Sequence, residues 1–288
     1  MDKKKILITG GNSPVTNDIV KKFNIHKNDI TVSTRKNIKK KYILNEIQYI
    51  KIDLRNKIKL KKNNFDYLIH IASATPYKKY SAAEYHKINI LGFKNLLNLS
   101  KNIKKIILLS TTDVLELASK SGLNKLKKDK KLIYSKSKYQ MEKILKNFAL
   151  KNKVRCFVLR CPAIMCMTPN NINFIQKIVH NFIKEKNITI FNPKIMFNNI
   201  IDTSTLYKLI NIFFKKKSLK KYFYVFSLAP RDNMSLSTFF KMINKGKKLN
   251  INFKYVIDKE KITKPIKVPK KIFDVFNMPS IKNIIKKI

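Results

Sequence analysis

The chain is short of acid: 17 Asp and Glu stand against 63 Lys and Arg, a formal charge of +46 at neutral pH. It is almost as short of arginine, with Arg35, Arg55, Arg155, Arg160 and Arg231 as its whole complement. Base readout and bidentate phosphate recognition rely on the planar guanidinium fork, so the excess does not read as a specific nucleic-acid surface. Its bulk is Lys, accompanied by many Asn and Ile, and all three have A/T-rich codons. Compositional bias therefore accounts for the charge without a polyanion partner. The expectation is weak, non-specific binding to DNA or RNA that collapses as salt rises. Sequence-dependent binding that survives above ~0.2 M salt in a filter or gel-shift titration would overturn it.

Long apolar runs are also missing. Stretches such as Ile106 to Leu109 fall far below the ~18 residues of a membrane span. The apolar segment after Lys3-Lys4-Lys5 is too short for a signal peptide and ends in glycines, which reads as a strand in a cytoplasmic protein. The three cysteines, Cys156, Cys161 and Cys166, lie five apart with no paired Cys-x-x-Cys and read as small core residues. None of His26, His70, His86 and His180 has a partner at metal-ligand spacing, so no metal site is expected.

What is present is enough apolar content, 44%, for a chain of 288 residues to bury about three quarters of its unfolded surface. Apolar strands are legible at Lys5 to Ile8, Ile30 to Val32, Tyr49 to Ile52, Tyr67 to Ile71, Lys105 to Leu109 and Arg155 to Leu159. Helical patterns fall near Val15 to Phe23, Ala82 to Asn102 and Tyr134 to Leu150, the last with Met141, Ile144, Leu145 and Phe148 at helical spacing. Such alternation builds an α/β fold, a parallel sheet with helices on both faces whose ligand belongs at the carboxyl ends of the strands. Lys-rich clusters at Lys36 to Lys41 and Lys125 to Lys131 read as solvated loops. From Pro162 onward the alternation weakens and prolines gather, at Pro162, Pro169, Pro193, Pro230, Pro265, Pro269 and Pro279. The expected division is residues 1–162 as a dinucleotide-binding domain and 163–288 as a less regular substrate-binding region, parts of which pack back on the first.

The opening segment, Lys5-Ile6-Leu7-Ile8-Thr9-Gly10-Gly11-Asn12-Ser13-Pro14-Val15-Thr16, is a strand, a small-residue turn and a helix start. A helix beginning there aims amides and dipole at an anion. A dinucleotide pyrophosphate suits it, and so does an ordinary strand-to-helix turn whose glycines supply positive φ. Of the three glycines of the dinucleotide fingerprint only Gly10 is kept; Ser13 and Thr16 stand in the other two places. The end of the second strand, Thr31 to Lys36, carries no acid to accept ribose hydroxyls. Its Ser33, Thr34 and Arg35 suit a 2′-phosphate instead, so the expected cofactor is NADP or NAD with NADP favoured.

Tyr134 and Lys138, four residues apart at a helix start, share one face. A lysine ammonium beside a phenol can lower its pKa and suit it to acid/base work. In so Lys-rich a chain the spacing alone carries no weight, since Tyr139/Lys143 and Tyr255/Lys259 match it too. Context separates the first pair: it follows a strand that ends in the hydroxyl cluster Ser110-Thr111-Thr112, where a hydroxyl can hold a substrate carbonyl.

Taken in order, these segments resemble the NAD-dependent epimerase/dehydratase family of extended short-chain dehydrogenase/reductases. The Gly10 turn resembles the family's glycine turn. Asp53-Leu54 resembles its adenine-facing pair, His70-Ile71-Ala72-Ser73 its cofactor-lining stretch, and Asn89 a helix Asn that supports the site. Thr111, Tyr134 and Lys138 match the catalytic hydroxyl and Tyr-x-x-x-Lys, Leu159-Arg160-Cys161-Pro162 the Leu-Arg-x-Pro toward substrate, and Asn199 to Asp202 a later hydrophobic-Asp element. The resemblance implies a Rossmann-type doubly wound parallel sheet with a smaller C-terminal substrate region. It implies an epimerase, dehydratase or reductase that acts on a nucleotide-linked sugar, or another small carbonyl or hydroxyl substrate, in a setting such as polysaccharide biosynthesis. Thr111, Tyr134 and Lys138 would be catalytic. Gly10, Asn12, Ser13, Pro14, Val15, Arg35, Asp53, Leu54, Ala72, Ser73, Asn89, Tyr134, Lys138 and Pro162 would hold the cofactor. Arg160, Lys194 and Arg231 could hold a substrate diphosphate or simply be solvated, and a homodimer is the assembly considered. Ser13 and Thr16 for glycine, Leu115-Glu116 for Tyr-Gly after the hydroxyl strand, and Met165-Cys166 for a second Tyr-Gly are the departures. They keep open an alternative, a sensor or scaffold that binds NAD(P) and has lost turnover. A basic platform for nucleic acid, with Tyr77, Tyr80, Phe213 and Phe214 as stacking residues, is the remaining reading.

Overall fold

The computed structural model describes residues 3–23, 27–38, 40, 43–58, 65–98, 103–128, 130–166, 187–216, 220–248, 251–257, 265–269 and 276–287. His26, Lys41, Asn102, Pro169, His180 and Lys259, which figure in the sequence reading, lie outside them. The chain divides into two compact units, Met1–Cys161 with Tyr207–Ser227, and Pro162–Leu206 with Leu228–Ile288.

In chain order the strands are β1 (Lys4–Thr9), β2 (Asn28–Thr34), β3 (Gln48–Lys51), β4 (Tyr67–His70), β5 (Lys105–Thr111), β6 (Arg155–Cys161), β7 (Ala163–Met165), β8 (Asn187–Phe191), β9 (Met196–Phe197), β10 (Ile200–Asp202), β11 (Phe223–Ser227), β12 (Met234–Ser235) and β13 (Asn252–Val256). The first unit is built on a seven-stranded sheet in the order β11-β6-β5-β4-β1-β2-β3, every neighbouring pair parallel. Strand order reverses between β1 and β4, which opens a crevice at their carboxyl ends. Ile8 of β1 stands opposite Val32 on one side and Ile69 on the other. Strands β4 and β5 are buried along their whole length, as expected of strands covered on both faces and read in sequence as unbroken apolar runs.

Helix α1 (Pro14–Val20) starts with proline, whose missing N–H costs nothing in a first turn. The expected helix Ala82 to Asn102 is α2 (Ala82–Tyr85), capped by a reciprocal Ser81/Glu84 box, then a π-helical turn over His86–Leu91, then α3 (Gly92–Asn98). After β5 comes a 3₁₀ segment (Thr112–Ala118), then α4 (Lys120–Lys128) and α5 (Leu132–Asn152). The expectation of a loop from Lys125 is corrected by α4. Leu126 is buried, and Lys125, Lys127 and Lys128 occupy the last turn, where positive charge suits the helix dipole. Phe213 and Phe214 are core residues rather than stacking platforms: Phe213 stacks on Phe157 and Phe226, and Phe214 on Tyr67. Tyr80 packs edge-on to Tyr85 while Tyr77 stays exposed.

Helix α6 (Thr203–Lys215) is fixed at both ends by side chains. Asp202 accepts from the Thr205 N–H at 2.7 Å and pairs with Lys287 at 2.9 Å. At the other end the buried Lys105 ammonium donates to the Phe213, Phe214 and Lys216 carbonyls at 2.8 to 2.9 Å. This explains a lysine at the head of a buried strand, since the four last carbonyls of a helix otherwise lack partners.

The second unit holds the short strand pairs β7 with β10, β9 with β12, and β8 with β13. Its core gathers Phe197, Ile200, Phe239, Phe240 and Ile243 from β9, β10 and α7 (Leu236–Lys247), with Ile281 and Ile284 from α8 (Ile281–Ile285). No helix among the described residues is long and apolar enough to cross a membrane, and no group of three potential metal ligands occurs among them.

Candidate active site

The Gly10 turn folds as a backbone close to β4 requires. Gly10 has φ +94°, and a Cβ there would stand 3.2 Å from the Ala72 nitrogen. Thr9 fixes that approach, because its hydroxyl accepts from the Ile71 and Ala72 amides at 3.0 and 3.1 Å. Having accepted two donors, the hydroxyl gives its own proton to His70 Nδ1, 2.9 Å away, which places the ring proton on Nε2. His70 is fully buried against Phe93, and burial, with the Lys138 charge nearby, lowers its pKa to about 3, so it stays neutral.

The turn spends several of its amides on itself. Gly10 and Gly11 donate to the Ser33 carbonyl, Ser13 donates to the Gly10 carbonyl, and Pro14 has no N–H. Ser13, although at the helix N-cap, makes no capping bond with its hydroxyl. Thr16, in the place of the third fingerprint glycine, is buried with a hydroxyl that finds no partner among the described residues. Asn12 reaches across the end of β2 to the Thr34 hydroxyl at 2.8 Å and the Asn37 carbonyl, and Thr34 in turn donates to the Lys36 carbonyl. The β2 end thus presents no carboxylate and an occupied threonine, with Arg35 partly buried beside it. Beyond β3, Asp53 is gripped by Arg55 through Nε and Nη2, which holds its carboxyl below the usual range, with Arg35 adding to the effect. Leu54 is buried next to it, and Ala72 and Ser73 are partly exposed after β4. A dinucleotide fits this turn, since the close Gly10 approach is kept, but Pro14 withholds one amide from its pyrophosphate.

Thr111 ends β5, buried, and in the sheet register stands opposite Cys161 at the end of β6. The Cys161 thiol, pushed up to about 12 by burial, acts electrostatically on both Tyr134 and Lys138. The thiol thus lies within electrostatic reach of Tyr134 and Lys138, and its residue is the register partner of Thr111. The expectation that Lys138 lowers the Tyr134 phenol meets a different arrangement. Burial is the largest influence and raises its pKa, Asp113, Tyr77 and Tyr85 add to the rise, and the phenol stays protonated. Tyr85 lies 6.3 Å from its ring. Lys138 is buried in the next turn of α5, where desolvation lowers its pKa to about 8 against the opposing pull of Glu142. Its ammonium makes no hydrogen bond among the described residues.

Asn89, on the π-helical turn, is a support. Its carbonyl accepts from Ala74 N at 2.7 Å and its amide donates to the Ser137 hydroxyl at 2.9 Å, while Ser137 donates to the Tyr134 carbonyl. The loop after β4 is thus tied to the first turns of α5. Arg160 does not reach for a diphosphate: its Nε and Nη2 bind Glu142, at 2.6 Å for the shortest contact. Lys194 and Arg231 are exposed in the second unit, and Pro162 is the first residue of that unit. Sequence reasoning took Cys161 for core, read Ser110 only as one of a hydroxyl cluster, and passed over Glu142. A carboxylate four residues after Lys138 on an otherwise apolar helix face was the available signal for Glu142.

The family model described as the NAD dependent epimerase/dehydratase family matches residues 6–202. No curated protein sequence matches the chain. Among solved structures, a UDP-glucose 4-epimerase from the hyperthermophilic eubacterium Thermotoga maritima, with UDP-glucose, superposes with TM-score 0.77 at 16% identity over 98% of this chain and 96% of its own. A UDP-N-acetylglucosamine 4-epimerase from Methanobrevibacter ruminantium, in complex with UDP-N-acetylmuramic acid, gives 0.73 at 19% over the whole of both chains. A Thermus thermophilus UDP-glucose 4-epimerase in complex with NAD gives 0.74 at 12% over 98% and 96%. At these identities the likeness is one of fold.

Proposed function

Because the chain belongs to the NAD dependent epimerase/dehydratase family, we propose that it is an enzyme that moves a hydride to and from a carbon of a nucleotide-linked sugar. The observation that supports this reading is that Thr111 ends β5 in register with Cys161, whose thiol lies within electrostatic reach of Tyr134 and Lys138 on the first turns of α5. A pure binding protein has no need of the phenol. Lys138 is linked to the Gly10 turn through His70 and Thr9.

Gly10, Val15, Ala72 and Ser73 would hold the dinucleotide backbone, with Asp53 and Leu54 on the adenine side. Lys138 would donate to the nicotinamide ribose, its ammonium having no internal partner among the described residues. When bound, the cofactor accepts and returns the hydride. Thr111 positions the substrate oxygen and Tyr134, half-buried and protonated, gives that oxygen a proton or takes one back once positive charge stands beside it. Titration with NADH and NADPH, followed by assays on UDP-sugars, tests the reading. Cofactor binding without turnover on any sugar nucleotide would favour the alternative of a sensor, which Pro14 and Ser13 in the turn make worth the assay.

The β2 end supports a preference for NADP(H). With no carboxylate to repel a 2′-phosphate, Arg35 can donate to it, a charge-assisted contact. NADPH should bind at least ~10-fold more tightly than NADH, equivalent to ~1.4 kcal/mol, and Arg35→Ala should erase most of the difference. Equal affinities, or a preference that survives the substitution, would show that Arg35 does not face the ribose.

A further inference from the structure

Beneath Lys138 lies a polar cluster that the proposed chemistry does not use. Glu142, one turn further along α5, is almost wholly buried. It accepts the Ser110 hydroxyl at 2.5 Å and the Arg160 guanidinium through both carboxylate oxygens, at 3.1 Å from Nε to Oε1 and 2.6 Å from Nη2 to Oε2. Each of these partners adjoins a residue of the site: Ser110 precedes Thr111 on β5, and Arg160 precedes Cys161 on β6. One carboxylate thus binds the ends of two strands to the helix that carries Tyr134 and Lys138.

We propose that Glu142 is a positioning residue for Lys138: it supplies the countercharge that keeps the buried ammonium protonated, while Arg160 and Ser110 hold it too firmly to pair with that ammonium directly. The inference rests on the reading of Lys138 as a cofactor-facing residue. Held back in this way, Lys138 remains charged and open to an incoming hydroxyl rather than locked in an internal ion pair. The groups that share its surroundings are His70 from β4, Cys161 from β6 and Glu142 from its own helix, while Asp113 of the 3₁₀ segment acts on Tyr134. His70 is neutral and the thiol is protonated at neutral pH, so Glu142 is the anion acting on Lys138.

The test needs no cofactor. Lys138 has a folded pKa near 8 against 10.5 for an unperturbed lysine. Between these values the unfolded chain binds more protons, so this residue makes stability rise with pH from about 8 upward. Urea unfolding from pH 6.5 to 10, with Lys138→Met as the reference at each pH, isolates that rise. In Glu142→Gln its onset should move down by about one pH unit or more, and in Arg160→Gln, where the freed carboxylate can reach the ammonium, it should move up. A single variant that buries a lone charge can fail to fold. The double variant Glu142→Gln/Arg160→Gln removes both charges together, and its onset should also fall below the wild-type value. An onset unmoved in the double variant, with stability merely offset, would make Glu142 a brace and overturn the proposal. NADH titration of the wild-type chain reports on the cofactor reading separately, so failure of either is visible by itself.

Discussion

Tyr134→Phe should lower turnover by a factor on the order of 10² or more, the scale of a lost general acid or base, while leaving folding and cofactor affinity near wild type. The Tyr134 phenol is protonated at rest, since burial and Asp113 both raise its pKa, and can give that proton to a sugar oxygen and take it back. Phenylalanine keeps the ring that packs near Tyr85, so the loss should appear in kcat with little change in thermal midpoint. Tyr139→Phe and Tyr255→Phe, which share the sequence spacing, should be nearly silent, because both side chains are exposed. Full activity in Tyr134→Phe would remove the mechanism whatever the substrate.

The second large effect is expected at a glycine outside the turn. A Cβ added to Gly92, at the start of α3, would meet the Leu54 carbonyl oxygen and lie 2.7 Å from Leu54 Cβ. Backbone cannot swing aside as a side-chain tip can. Gly92→Ala should therefore cost about 1–3 kcal/mol by overpacking, seen as a fall of several degrees in thermal midpoint. Leu54 follows Asp53, so the displaced loop should also weaken dinucleotide binding. An alanine variant with wild-type stability would mean that the helix and the loop are not in contact.

Much of this was legible in the residues. The strands of the first unit stand out as apolar runs because they are covered on both faces, and Tyr134 and Lys138 could be singled out from two rival pairs by the hydroxyl strand before them. The site's supports were not legible in the same way. Glu142 and Arg160 look like any surface pair until β5 and β6 bring Ser110 and Arg160 under the same helix turn. Lys105 reads as one solvated lysine among many, yet its role depends on carbonyls more than a hundred residues away. The π turn around Asn89 leaves no mark on hydrophobic periodicity, since it inserts into an otherwise regular helix. The direction of the Tyr134 shift depends on how deeply the ring is enclosed, which spacing along a helix does not report.

The central sheet is closed on one flank by β11, which pairs with β6 along Phe223 to Ser227 although the whole of Pro162–Leu206, which belongs to the other unit, and helix α6 intervene in the chain. During synthesis β6 therefore emerges as an open edge, its N–H and C=O groups a template for any passing strand. It keeps that exposure until β11 has left the ribosome, several seconds later at ~5–20 residues per second. A fragment cut after Cys161 would keep the open edge permanently, and the Lys105 ammonium would lose the carbonyls it caps. The nascent chain is thus most prone to aggregation in the interval between its sixth and eleventh strands.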